Sequence, residues 1–139
     1  MTRIIILGGG YGGVEAAKKL HKKYKRKKNV EITLIDKNPY HTLMTELHEV
    51  AGGRVEPDSV RISFDRIFSG KNVDVVTDEI KDIDFDKKIC KSETNQYEYD
   101  YLVLAVGAEP EDFGIPGVKE HAMTLWSFDD AIQIRRHVR

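Results

Sequence analysis

The sequence predicts an α/β fold, a Rossmann-like parallel sheet carrying a small antiparallel β-meander. Three observations predict it. Residues 3–36 read strand, glycine-rich turn, helix, strand, which is one βαβ unit with the right-handed crossover such units take. Short alternating segments between residues 80 and 99, separated by turn residues, read as antiparallel strands. A further apolar run, Tyr101–Val106, stops at Gly107 and reads as one more strand.

In chain order, Arg3–Leu7 is a continuous isoleucine-rich run, the pattern of a strand buried on both faces. Gly8–Gly13 holds five glycines in six positions. A helix follows from Val14 to about Lys25, with Val14, Ala17, Leu20 and Tyr24 at three- and four-residue spacing. Its Lys- and Arg-rich second half suits a solvent-facing helix C-terminus, and Asn29 ends it. Val30–Ile35 is the second strand. Asn38-Pro39-Tyr40 is a turn, and Leu43–Val50 is a short helix broken by Gly52-Gly53. Pro57-Asp58-Ser59 opens another helical stretch, with Val60, Ile62, Ile67 and Phe68 as its buried positions. Val73–Val76 is a third strand. The meander comprises Ile80–Phe85, Lys88–Lys91 and Gln96–Tyr99. Glu109–Gly117, with two prolines and two glycines, is a loop. Ser127 and Asp129 stand where an N-cap would, ahead of a helix over Asp130–Val138.

The 139 residues suit a single domain, 1–139. A net charge of −1, from 22 basic and 23 acidic residues, argues against a nucleic-acid partner. Lys18–Lys28 nonetheless holds eight Lys or Arg in eleven positions, a solvated helix end or a patch for anionic lipid. No apolar run approaches the ~18 residues of a membrane span, and the glycines after Leu7 interrupt any signal-peptide pattern. The one cysteine, Cys90, excludes a disulphide framework, a CxxC pair and a cysteine zinc cluster within the chain. That usage fits a cytoplasmic location, and no metal site is expected.

Gly8-x-Gly10-x-x-Gly13 follows a strand and opens a helix. In this arrangement the first glycine permits a tight turn and the second lets the backbone approach a pyrophosphate. The third lets helix and strand pack closely. The helix N-terminus then offers N–H groups and a positive dipole end. Asp36 ends the next strand, about 20 residues on, where an acid accepts hydrogen bonds from ribose hydroxyls. An acid there disfavours a 2′-phosphate. The glycines alone do not separate FAD from NAD.

The order that follows the second strand resembles the FAD domain of two-dinucleotide-binding flavoproteins. In that superfamily an apolar strand running into Ala, a small residue and Gly closes the domain. Leu102–Gly107 looks like it, with Val106 where threonine is usual. Within the superfamily the chain most resembles type II NADH dehydrogenases, the single-subunit NADH:quinone oxidoreductases. The stretches that carry this are Ile5–Gly13, Asp36-Lys-Asn-Pro-Tyr-His41, Thr45-Glu-Leu-His48 with Ala51-Gly-Gly53, Tyr99–Val103 running on to Gly107-Ala-Glu-Pro110, and Phe113-Gly-Ile-Pro-Gly117. Disulphide reductases of the superfamily carry redox cysteines where Thr42–Val50 lies here, and this segment has none.

The resemblance implies an FAD-dependent enzyme passing electrons from NADH through the flavin to a quinone. Gly8, Gly10 and Gly13 would hold the FAD pyrophosphate, with Tyr11 and Gly12 in the same loop. Asp36 would bind the adenosine ribose and Lys37 would lie beside the adenine. Glu79 and Ile80 would offer backbone to the adenine. Thr45, with Glu46 nearby, would pass the flavin end, and Gly107 would approach the ribityl-phosphate chain. No catalytic residue is assigned. His41 and His48 are candidates for proton transfer, although a lone histidine beside an apolar segment more commonly serves structure. The resemblance covers the N-terminal FAD-domain portion of a longer enzyme, whose NADH-binding domain and C-terminal region fall outside these residues. The parent would contact the membrane peripherally. A piece of this kind should expose apolar surface along Tyr101–Val106 and along Ala131, Ile134 and Val138, and self-associate there. Alternatives are a stand-alone nucleotide-binding module without turnover, or an NAD(P)H oxidase or ferredoxin reductase of the same superfamily.

Overall fold

A computed structural model describes residues 1–138. Along the chain run β1 (Thr2–Leu7), α1 (Tyr11–Tyr24), β2 (Val30–Asp36), β3 (Tyr40–Thr42), α2 (Leu47–Ala51), β4 (Arg61–Ser63), α3 (Phe64–Phe68), β5 (Asp74–Thr77), β6 (Asp82–Asp84), β7 (Ile89–Lys91), β8 (Gln96–Glu98), β9 (Tyr101–Leu104), α4 (Val118–His121) and α5 (Phe128–His137). One-turn 3-10 helices occupy Met44–Glu46 and Pro57–Val60. The fold divides into two compact units. The first comprises Met1–His41 with Ser63–Gly107, and the second comprises Thr42–Ile62 with the chain from Ala108 onward. Strands β3 and β4 form a separate two-stranded sheet. Among the described residues, no helix is long and apolar enough to cross a membrane.

In the first unit four parallel strands lie in the order β5-β2-β1-β9. Side chains of a strand alternate between faces, and here both faces are covered. Ile4 and Ile6 of β1, with Ile32 and Leu34 of β2, pack against Val14 and Ala17 of α1 and Phe64 and Phe68 of α3. Ile5, Leu7 and Ile35 face the other way, onto Cys90 and Tyr99, with Ile83 and Tyr97 of the meander beside them. The unbroken apolar run in β1 therefore serves two cores. Each large aliphatic so buried contributes about 1.5–3 kcal/mol. The meander is the three-stranded sheet β6-β7-β8, antiparallel throughout, with Ile83 opposite Cys90 and Cys90 opposite Tyr97.

Several expectations need correction. Helix α1 starts at Tyr11, three residues before Val14, and ends at Tyr24, ahead of Asn29. Gly12 and Gly13 are poor helix formers, but the close fit of Gly13 against Gly8 outweighs propensity. The helical stretch read from Pro57 splits instead into a 3-10 turn, β4 and α3. Ser63 caps α3, accepting a hydrogen bond from the Arg66 N–H. Val60 and Phe68 are buried as expected, Ile62 and Ile67 only partly, and Phe64 belongs in that list. Strand β9 stops at Leu104, short of Val106. As an edge strand it leaves Tyr101 (65%) and Leu104 (53%) exposed.

The second unit has its own core. Leu47, Val50 and Ala51 of α2 and Val60 enclose Ala131 of α5, with Phe128, Ile132 and Ile134 packed around them. The expectation that Ala131 and Ile134 would lie exposed is thus overturned, because α2 supplies the surface they cover. Val138 is exposed. Helix α5 starts in a full capping box. The Ser127 hydroxyl accepts from the Asp130 N–H at 3.1 Å, and the Asp130 carboxylate accepts from the Ser127 N–H at 3.0 Å. The same carboxylate takes the Trp126 N–H and the Thr124 hydroxyl, and against the burial that raises it these bonds hold Asp130 below the usual carboxylate range. Ser127→Ala should destabilise this helix by about 1 kcal/mol. Urea titration of the variant checks it, and an unchanged midpoint would show that the cap carries no weight.

Candidate functional site

The site is built at the sheet edge where the parallel strands end, the place where open α/β sheets bind ligands. Sheet order turns back at β1, which has β2 on one side and β9 on the other. The glycine loop leaves β1 at this point. Gly8 donates its N–H to Ile35 O at 2.8 Å, and Ala105 donates to Leu7 O at 2.8 Å, so the loop starts from a fixed base.

The loop glycines fall into two groups. A Cβ on Gly8, whose φ is +101°, would lie 2.3 Å from Ala105 O. On Gly9 it would lie 2.1 Å from the tip of the Phe64 ring, and on Gly13 1.8 Å from Gly8 O. These three positions are closed by protein. Gly10 has no atom within 4 Å of where its Cβ would be, and Gly12 only the Ala105 methyl at 4.0 Å. At these two positions the bare backbone faces open space. Gly10 is also the N-cap of α1, with no side-chain cap and no acidic residue in the first turn. A helix N-terminus left this way presents N–H groups and a positive dipole end to an anion.

Asp36, the last residue of β2, reaches back to the loop. Its Oδ2 accepts from the Gly9 N–H at 2.6 Å and its Oδ1 from the Asn38 N–H at 2.8 Å. Each oxygen keeps a second lone pair. His41 is buried and its Nδ1 lies 2.9 Å from Gly9 O. A carbonyl only accepts, so Nδ1 carries the proton and donates. Tyr11 meets the His41 ring edge-on, with centroids 4.9 Å apart. His41 therefore holds the loop in shape. His48 is exposed in the second unit and lies 3.1 Å from Glu49, which also pairs with Arg54.

Lys37 is exposed just beyond Asp36. The Glu79 carboxyl is held below its ordinary value chiefly by the bond from Lys81 at 2.7 Å, with the Lys37 charge a smaller cause. Ile80 follows, its side chain packed on the meander-side core. The first unit thus brings Gly8–Gly13, Asp36, Lys37 and Ile80 to the strand-end edge. Gly107 has a φ of +79° and an open Cβ direction. Thr45 and Glu46 lie in the second unit, on the 3-10 turn Met44–Glu46. Cys90 is fully buried, and burial pushes its thiol up, the setting of an unreactive core cysteine.

Sequence reasoning missed Gly9 and Phe64. Gly9 lies at a free position of the Gly-x-Gly-x-x-Gly pattern, yet the Phe64 ring and His41 both depend on it. The run of three glycines was the available signal.

A family model described as pyridine nucleotide-disulphide oxidoreductase matches residues 2–139. The chain is 38% identical over 138 residues to a type II NADH:quinone oxidoreductase of Staphylococcus aureus, covering 98% of this chain and 34% of that protein. Among solved structures, the sulfide:quinone oxidoreductase of Aquifex aeolicus superposes with a TM-score of 0.86 over 99% of this chain and 32% of its own. At 23% identity that likeness is one of fold. NDH2 of Plasmodium falciparum superposes with a TM-score of 0.78 at 29% identity, covering 97% of this chain and 28% of that one. The chain spans about a third of the length of the curated relatives it matches.

Proposed function

Because the chain belongs to the pyridine nucleotide-disulphide oxidoreductase family, we propose that residues 1–139 are the N-terminal FAD-binding portion of an NADH:quinone oxidoreductase. The observation that carries this is the divided glycine loop, closed by protein at Gly8, Gly9 and Gly13 and open at Gly10 and Gly12. A loop of this form has room for a pyrophosphate against bare backbone. The meander layer, standing where another helical crossover would suit an NAD domain, supports FAD over NAD. The similarity to type II NADH:quinone oxidoreductases supports NADH and quinone as the substrates.

In this reading Gly10, Tyr11 and Gly12 line the pyrophosphate, and the α1 N-terminus stabilises its charge. Asp36 accepts from ribose hydroxyls with the lone pairs that Gly9 and Asn38 leave. Lys37 and the Glu79–Ile80 backbone flank the adenine. Gly107 lies toward the ribityl-phosphate end, and Thr45 is assigned to the flavin end on resemblance. The chemistry FAD supplies when bound is two-electron transfer, here from NADH to a quinone. This chain's own part is to bind, orient and hold the cofactor. Cys90 has no partner cysteine in the chain, so dithiol exchange is not part of it.

Purifying the chain without added flavin, recording its visible spectrum and titrating FAD by fluorescence quenching tests the assignment. Yellow flavin carried through purification, or saturable quenching, is the expected result. Quenching that never saturates at any FAD concentration overturns it.

A further inference from the structure

At the same sheet edge Asp78 joins three parts of the first unit. Its N–H donates to Asp36 O at 2.9 Å, tying the exit of β5 to the end of β2. Its Oδ1 accepts from the Glu79 N–H at 2.8 Å. Its Oδ2 accepts from the Tyr97 hydroxyl at 2.5 Å and the Asn95 amide at 3.1 Å. Tyr97 stands in β8 opposite Cys90, its ring against the meander-side core. The carboxylate therefore fixes the segment 78–80 between the parallel sheet and the meander.

The bond is charge-assisted across the neutral range. The Tyr97 hydroxyl, followed by Ser92, holds Asp78 down at about 2, and burial together with Asp78 pushes Tyr97 up to about 12. The meander strands also pair directly, Ile83 opposite Cys90 and Cys90 opposite Tyr97. What the carboxylate adds is a fixed path for Glu79 and Ile80, one hydrogen bond from Asp36.

We propose that Asp78 and Tyr97 are positioning residues for nucleotide binding, which preset the Glu79–Ile80 backbone at the adenine end of the dinucleotide. The inference rests on the FAD assignment above. A preset backbone binds without the cost of ordering the segment, so its loss shows in affinity for the adenine half.

Tyr97→Phe keeps the ring in the core and removes only the donor. Asp78→Asn keeps the volume and removes the charge. FAD and ADP are titrated against both, against the parent chain and against Ser127→Ala, which removes one hydrogen bond in the other unit. Hydrogen exchange at the Glu79 amide is followed in parallel. The expected result is FAD and ADP affinity about tenfold weaker in both variants, with faster exchange at Glu79 and unchanged affinities in Ser127→Ala. Should Asp78→Asn fail to fold, Tyr97→Phe decides alone. The inference is overturned if Tyr97→Phe binds ADP as tightly as the parent, or weakens it no more than Ser127→Ala does. A parent chain that binds neither FAD nor ADP overturns the FAD assignment itself, and is seen before any variant is compared.

Discussion

Gly13→Ala is expected to destabilise the first unit strongly, whereas Gly10→Ala leaves it stable and weakens the nucleotide binding proposed above. The added methyl on Gly13 would sit 1.8 Å from Gly8 O and 3.5 Å from the Ala105 methyl. Backbone oxygen cannot swing aside as a flexible side chain can, so α1 must shift away from β1. Val14 and Ala17 go with it and leave the core they share with Ile4 and Ile6. Overpacking typically costs about 1–3 kcal/mol, and this contact is closer than any relaxed one, so a loss above about 3 kcal/mol is expected. That is a large share of the roughly 5–15 kcal/mol a domain has. Gly10 differs in both respects. Its φ of −71° suits any residue, and its Cβ meets nothing within 4 Å. Alanine there changes stability by under about 1 kcal/mol. On the FAD assignment, affinity nonetheless falls at least about tenfold, because the methyl would occupy the surface assigned to the pyrophosphate. Denaturant midpoints and FAD titration of the two variants give the answer. Equal stability in both would show that the closed and open glycines are not distinct.

Asp36→Asn is expected to weaken FAD binding about a hundredfold and to destabilise the chain as well. The carboxylate now accepts two backbone N–H groups, one on each oxygen. An amide has one acceptor oxygen and turns an NH2 toward the other donor. Either Gly9 or Asn38 loses its partner, at about 1–3 kcal/mol for a donor left unsatisfied. Because Gly9 also fixes His41, the loop loses shape together with the charge that would meet the ribose. FAD titration and urea denaturation are the measurements. An affinity equal to the parent's would remove Asp36 from the site.

The elements most visible in the sequence are those whose signal is local. The isoleucine run of β1, the glycines after it, Asp36 at the end of β2 and Ser127 ahead of α5 each declare themselves within a few residues. The parts that stayed hidden depend on residues far apart in the chain. Phe64 fills the space beside Gly9, and His41 bonds to it, yet neither neighbourhood carries a pattern naming the loop. A short helix is legible over Leu43–Val50, but not that Ala131 and Ile134 of α5 pack on it, because that contact joins residues far apart in the chain. The start of α1 at Tyr11 is hidden for the opposite reason. Gly12 and Gly13 read as loop by propensity and are helical by packing.

The position of β9 has a consequence in time. The wall of the glycine loop is Ala105, which closes on Gly8, and β1 is tied to the same region by the Arg3 N–H bond to Asp100, 97 residues along the chain. At the usual pace of synthesis, about 5–20 residues per second, β1 leaves the ribosome roughly 5 to 20 s before the residues that close its loop. Through that interval Ile4–Leu7 has no partner on its β9 flank, and Gly8 has nothing to turn against. On the FAD assignment proposed above, a dinucleotide would meet a walled glycine loop only once β9 has docked on β1.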